Sequence, residues 1–331
     1  MKVELREAER LACDVLRSIG YSEDASNRIT KHILDSQLRG YSAAGFARLL
    51  AIRDRLNGKP PNEQIEITNE TPVLAHLDGH DTFGYLVGGQ AMEMVIKKAK
   101  QLGIAIVGAS NTWTTGMLAY YAEMAAKEDL VTIITANSTP WVAAHGGTKG
   151  LNGTNPLCIG FPTSKTPVIL DIATSKLLHA DIVLAQRLGT ELPPNSAFNA
   201  KGEPTTNPWE VFEGAIAPWG GYKGSGIASM VQLFGVLAGS PAFPPPLGQF
   251  GFNVIAVDPS KFRPLDDYKR EVDAYCERLR ASPPAAGDDP LRMPFDRSAE
   301  LRKAALKVGE VEIDDSIYST LVELSGKGAR S

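Results

Sequence analysis

Apolar residues recur at helical spacing near the start of the chain, at Leu5, Ala8, Leu11, Ala12, Val15, Leu16 and Ile19, and Gly20 closes the run. Ser22 and Asp24 offer a cap for a second helix reaching Leu38, and a third spans 43–56. After the turn Asn57-Gly58-Lys59-Pro60-Pro61 the period changes, and 65–69, 73–78 and a piece around Phe83 read as strands. An amphipathic helix follows over 90–102, with Ala91, Met94, Val95 and Ala99 inward and Lys97, Lys98 and Lys100 outward. Strands at 104–109 and 131–135 bracket a helix at 117–128. Further strands at 157–161 and 168–170 are set between glycine-rich turns. A helical piece then runs to Leu188, a polar connection covers 189–207, and an apolar helix covers 227–237. A strand at 252–257, helices at 261–281 and 298–308 and a frayed tail from Gly326 to Ser331 complete the pattern.

Strands and helices are mixed without the regular alternation of a doubly wound parallel sheet. No Gly-x-Gly-x-x-Gly follows a strand and opens a helix, so a Rossmann unit is not supported. The fold class is α/β in the α+β sense.

Composition narrows the function. The 331 residues are 43% hydrophobic and 22% charged, with a net charge of −4, which gives no basic field for nucleic acid. No run approaches the ~20 apolar residues of a membrane helix. Cys13, Cys158 and Cys276 are far apart and odd in number, which points to a reducing compartment, the cytoplasm. Cys158, inside an apolar run, reads as core. No His, Cys, Asp and Glu cluster has metal-ligand spacing, and no Gly-x-Ser-x-Gly elbow exists.

The stretch 133–181 carries the candidate chemistry. Gly146-Gly147 and the run 150–156 let backbone approach a ligand, and Thr154, Asn155, Thr174 and Ser175 offer short polar side chains beside strand ends. This reads as the floor of a small-molecule site.

Ordered segments then become specific together: Leu38-Arg39-Gly40 with Gly45 and Arg48; Ala91-Met92-Glu93; Tyr120-Tyr121; Gly146-Gly147; Gly153-Thr154-Asn155-Pro156; Leu170-Asp171-Ile172-Ala173-Thr174-Ser175; Pro204-Thr205-Thr206; and Gly220-Gly221-Tyr222-Lys223-Gly224. In this order the chain resembles the type-2 malate/L-lactate dehydrogenase family. That family includes sulfolactate and ureidoglycolate dehydrogenases and diketogulonate and piperideine-carboxylate reductases. The resemblance implies a non-Rossmann NAD(P)-binding domain with a mainly antiparallel sheet, flanked by a helical lobe from both chain ends. The expected division is 1–70 helical lobe, 71–257 cofactor-binding and catalytic domain, and 258–331 packing back on the first lobe. A homodimer is also implied, with NADP or NAD as cofactor and NADPH favoured. By the same resemblance Arg48 binds a substrate carboxylate and Thr154 meets substrate. Thr114, Thr115, Gly116, Met117, Leu118, Ile172, Ala173, Thr174, Tyr222 and Lys223 line the cofactor.

Departures from the family pattern alter the expected chemistry. Where relatives carry Asp-Ser-His-Gly, with His donating the proton, this chain has Ser42-Ala43-Ala44-Gly45. The usual Asn-His-Phe-Gly is Trp113-Thr114-Thr115-Gly116, and a late Pro-Gly-Glu is Pro294-Phe295-Asp296. Ketone reduction needs a proton for the developing alkoxide, and a positioned acid contributes ~10²–10⁴-fold. A protonated imine already holds its proton. Asp181, at a position acidic in some imine-reducing relatives, is open to two readings: orienting an iminium, or capping the following helix. His145 is open to packing or catalysis, and His179 to a substrate contact. His32, on a charged helix, reads as surface. Trp113, Trp141 and Trp219 fall in site loops and suggest an enlarged apolar pocket for a cyclic substrate, with Trp141 against it. The expectation is an NAD(P)H-dependent reductase of a cyclic imine or related carbonyl compound. The alternatives are a cofactor-binding cyclase or isomerase without net redox, and a catalytically silent homologue.

Overall fold

In the computed structural model, which describes residues 1–326, the strand Phe250–Val257 is buried along nearly its whole length. It pairs antiparallel with Ile104–Thr112 on one side and Val131–Ala136 on the other. Around it forms a seven-stranded sheet in the order Glu66–Glu70, Leu74–Asp78, Ile104–Thr112, Phe250–Val257, Val131–Ala136, Leu157–Phe161, Val168–Ile172. Its one parallel pair is Leu74–Asp78 with Ile104–Thr112. A parallel pair needs a long crossover, and the helix Gly84–Leu102 supplies it. The sheet is therefore mainly antiparallel, and the mixed α/β architecture expected from the sequence is present.

Packing explains the layers. The helices Gly84–Leu102 and Leu118–Ala126 bury Val87, Ala91, Val95, Leu118 and Ala122 against Val107, Ile134 and Val254 on one face of the sheet. Cys158 and its neighbour Ile169 lie in the same core. The helix Gly221–Leu237 lies on the other face. A five-stranded sheet of short strands sits beside this layer and contains Val142–Ala143, Gly150–Asn152, Ala197–Phe198, Pro204–Thr205 and Ala215–Ile216. The polar connection at 189–207 thus contributes two strands instead of remaining an open loop.

A separate helical core joins the chain's two ends. Leu11, Val15 and Leu16 of the helix Leu5–Ser18, Ile29 and Ile33 of Glu23–Leu38, and Leu49 and Ile52 of Ala47–Leu56 pack with Val311, Ile317 and Leu321. The strand Lys2–Glu4 pairs with Glu310–Glu312. Ion pairs fasten the helix Asp296–Val308 to this lobe: Arg302 meets both Asp35 and Glu123, and Arg39 meets the same two carboxylates.

Several boundaries differ from the sequence reading. The helices Gly84–Leu102 and Gly221–Leu237 begin six residues earlier than expected, because packing overrides the poor helix propensity of glycine. The helix Asp315–Leu324 was not anticipated. Of the expected frayed tail, residues 327–331 lie outside the described residues. No helix of the described residues is long and apolar enough to cross a membrane.

Candidate active site

A cleft of about 680 Å³ opens between the sheet and the helical lobe. Its walls come from loops that leave strand ends and from the first turns of two helices. Arg48 enters from the helix Ala47–Leu56, whose start is set by a close approach at Gly45. A Cβ there would lie 1.9 Å from Gln37 Oε1, the atom that accepts the Phe46 N–H. The short turn Ser42–Ala44 lines the cleft beside it.

Thr114, Thr115, Gly116 and Met117 also line the cleft, in the loop after the strand Ile104–Thr112. Gly116 has φ +75°, and a Cβ on it would strike Tyr85 and His32. This is where the structure corrects the reading of His32 as surface. Its ring is buried, stacked between Tyr85 at 4.0 Å and Tyr120 at 4.3 Å, and Nε2 accepts the Met117 N–H at 3.1 Å. Burial, aided by the field of Arg48, pushes its pKa down to about 3, so the ring is neutral.

Asp171, Ile172 and Ala173 line the cleft at the end of the strand Val168–Ile172. The Asp171 carboxylate accepts the Ala119 N–H at 2.8 Å, tying this strand end to the first turn of the helix Leu118–Ala126, which directly follows Thr114–Met117. Burial raises its pKa to about 6, against the lowering effect of the Ala119 and Leu118 amides. Thr174 is buried, and its Oγ1 donates to the carbonyls of Thr154 and Asn155 at 3.1 Å. Leu118 points into the core. Thr174 and Leu118 therefore hold the lining without being part of it.

Trp141, Thr154, His179 and Asp181 complete the wall. Trp141 and His179 stack at 4.4 Å with planes 21° apart, and Phe212 backs both rings. Burial and the Arg48 charge lower the His179 pKa to about 3. Asp181 accepts the Leu178 N–H at 2.9 Å and so caps the helix His179–Leu188. Burial raises its pKa, opposed by the Leu178 hydrogen bond and by Arg48.

Besides Thr174 and Leu118, three more expected site residues are not part of this lining. His145 is exposed, and its backbone N–H donates to Ser225 Oγ. Tyr222 is 69% exposed on the first turn of the helix Gly221–Leu237, and Lys223 lines a separate shallow groove with Ile227 and Met230. The tryptophan reading is also corrected in part. Trp141 and Trp219 line the cleft, but Trp113 is core, tilted against Phe83 with its indole N–H on the Asp81 carbonyl. Lining groups that sequence reasoning missed include Ser138, Asn137 and Lys176. Ser138 and Asn137 lie in the stretch that reads as a site floor, yet nothing in their spacing marks them.

Arg48 defines the electrostatics. It is only 8% exposed, its Nε has no hydrogen-bond partner, and among the described residues no carboxylate forms an ion pair with it. Such a cation is suited to an anionic ligand group. Ala43 and Ala44, in the same cleft, bring no titratable group. Among the described residues no cluster of three or more His, Cys, Asp or Glu could hold a metal.

The malate/L-lactate dehydrogenase family model matches residues 3–322. The chain is 32% identical over 293 residues to L-sulfolactate dehydrogenase of Methanothermobacter thermautotrophicus, covering 85% of this chain and 86% of that protein. It is 32% identical over 335 residues to Delta(1)-pyrroline-2-carboxylate reductase 1 of Burkholderia ambifaria, covering 97% of each. Among solved structures, sulfolactate dehydrogenase from Methanocaldococcus jannaschii is similar with a TM-score of 0.86 at 30% identity, covering 99% of this chain and 97% of that one. The chain is thus an oxidoreductase belonging to the malate/L-lactate dehydrogenase family, whose membership implies a nicotinamide cofactor.

Proposed function

We propose that this protein uses NADPH or NADH to reduce a cyclic imine, or a related carbonyl compound, that carries a carboxylate. The observation that carries the reading is the buried Arg48, whose Nε has no hydrogen-bond partner and which no carboxylate of the described residues pairs with, in a cleft whose Ser42–Ala44 wall has no titratable donor. Similarity to a pyrroline-carboxylate reductase along almost the whole chain supports the substrate class.

The residues fit a nicotinamide cofactor. The cleft volume suits a bound small molecule, and the tied segments Thr114–Met117 and Asp171–Ala173 present backbone and short side chains to it. Reduced nicotinamide, when bound, supplies a hydride. The chain's own residues do the rest. Arg48 holds the substrate carboxylate through its planar fork and so fixes the orientation of the acceptor carbon. Asp181 is the carboxylate that faces an iminium: it stabilises the positive charge and keeps the proton on nitrogen. His179, neutral through burial, packs against the substrate instead of protonating it. With alanine at 43 and 44, an imine that arrives protonated needs no acid from that wall.

Tyr222, Met230, Leu233 and Leu237 are exposed on the helix Gly221–Leu237, an apolar face suited to a second copy of the chain, and we take the working form to be a homodimer. Three free cysteines, two of them buried, accord with a reducing cytoplasm.

Steady-state oxidation of NADPH and NADH with a panel of cyclic imino acids and 2-oxo acids tests the reading. Imine turnover is expected. Turnover of oxo acids with no imine activity, or product formation without any loss of reduced cofactor, would sink it. Ala43→Ser combined with Ala44→His should raise oxo-acid reduction toward the ~10²–10⁴-fold a positioned acid provides.

A further inference from the structure

Charge on the cleft wall carries a narrower conclusion about the ligand, one that rests on the reductase reading above. The cationic side chains lining the cleft are Arg48 and Lys176. Lys176 is exposed at the rim, and its Nζ donates to the Asn195 carbonyl at 2.9 Å, across to the loop after the helix His179–Leu188. The remaining titratable groups bring no positive charge at neutral pH. His179 is neutral, Tyr41 is a phenol, and Asp171 and Asp181 are acids. Among the described residues, one buried cation therefore serves the interior of this cleft.

The His179 side chain, which a second anion could have used as a partner, is occupied differently. It lies flat on Trp141 at 4.4 Å, and Phe212 closes on both rings from behind, at 5.5 Å from Trp141 and 5.1 Å from His179. This is a built aromatic wall beside a carboxylate. A flat ring stacks on such a wall favourably. A second carboxylate placed there would lose its water without gaining a cation, and would meet Asp181 as a like charge.

We infer that the substrate is a monoanion: one carboxylate on Arg48, with the body of the molecule a flat or cyclic apolar group against Trp141 and His179, and that the cleft discriminates against diacids. His179 and Trp141 are then the residues that set specificity.

Matched unreactive probes test this on the full-length protein with saturating reduced cofactor. Furan-2-carboxylate and furan-2,5-dicarboxylate differ by one carboxylate on the same ring, and their binding is read by competition or calorimetry. The monoacid should bind at least about tenfold more tightly than the diacid. His179→Arg should narrow or reverse that ratio. Trp141→Ala should weaken furan-2-carboxylate more than it weakens propionate, which has no ring. Equal or tighter diacid binding in the unmodified protein overturns the inference, as does undetectable binding of the monoacid. So does an unchanged ratio in a folded His179→Arg protein. Because neither furan acid is reduced, these outcomes are separate from failure of the imine panel, which bears only on the reaction.

Discussion

Two buried arginines flank the turn that includes Ser42–Ala44, and their surroundings differ completely. Arg39 donates from Nε to Asp35 at 2.7 Å, places Nη2 3.0 Å from Glu123 and lies over the Phe295 ring at 4.3 Å. Arg48 is nearly as buried, yet its Nε has no partner and it forms no ion pair among the described residues. Burying a charge is costly, and the cost is met either by a counter-charge in the fold or by one that arrives with a ligand. Arg39 is therefore held by counter-charges of the fold, and Arg48 is the one proposed to take an anion from the ligand. Sequence position does not separate them. Pairing does.

The largest effect is expected on the structural side. Glu123 binds Arg302 through both oxygens and also pairs with Arg39. Breaking a buried pair by removing one partner costs roughly 3–5 kcal/mol, so Glu123→Gln should lower stability by about that much in thermal or denaturant unfolding. The pH dependence has a definite sign. Burial alone would raise the Glu123 pKa, but hydrogen bonding from Arg302 and the charges of Arg39 and Arg302 bring it from 4.5 down to about 2. Its stabilisation is full above pH 4.5 and is lost as the pH falls through 4.5 toward 2. Glu123→Gln should flatten that limb. An unchanged acid limb would mean that the network is not what holds the helix Asp296–Val308.

Arg48→Met should do the opposite. Substrate binding falls by roughly 2–5 kcal/mol, from about thirtyfold to several thousandfold in KM or in Kd for a carboxylate probe. Stability holds or rises, because an uncompensated buried charge has gone. If Arg48→Met unfolds the protein as readily as Arg39→Met does, the contrast between the two is false.

How much of this was legible in the sequence follows from the same distinction. The central strands and the amphipathic helix around Ala91, Val95 and Ala99 were readable, because burial there is apolar and periodic. The glycine-rich starts of Gly84–Leu102 and Gly221–Leu237 were not, since contacts from distant segments override local propensity there. Ordered short motifs brought Arg48, Thr154 and the Asp171–Thr174 run to notice, whereas buried polar residues misled. His32 sits in a helix that buries Ser26, Thr30 and Ser36 as well, so its inward face carries polar letters and resembles a solvated one. Trp113 stood in a loop in the sequence reading, and only the tertiary contact with Phe83 shows that it is core.

His32 gives the next prediction. Replacing it with leucine keeps an apolar filler but leaves the buried Met117 N–H without its acceptor, at about 1–3 kcal/mol. Because Met117 belongs to the loop proposed to line the cofactor, the loss should weaken NADPH or NADH binding more than it weakens a carboxylate probe. His32→Gln, which can still accept, should restore part of it. Equal weakening of both ligands would mean that His32 supports the whole cleft instead of this loop.

Asp171 provides the smallest effect and the clearest contrast with Glu123. Both are carboxylates shielded by the fold, but no cation stands beside Asp171, so burial wins and the pKa rises from 3.8 to about 6. The native state then holds its proton more tightly than the unfolded chain does. Stability should be greatest below pH 3.8, decline as the pH climbs through 3.8 to about 6, and level off above that. Asp171 as a whole is only half-buried, which keeps the change to no more than about 2 kcal/mol. Asparagine at this position can still accept the Ala119 N–H, so Asp171→Asn should remove the slope between pH 4 and 6 with little change in cofactor affinity at neutral pH. The two carboxylates thus bend the stability curve in opposite directions over adjoining ranges. A double variant, Glu123→Gln with Asp171→Asn, should be the flattest of all; retained curvature would point to a carboxylate elsewhere in the fold.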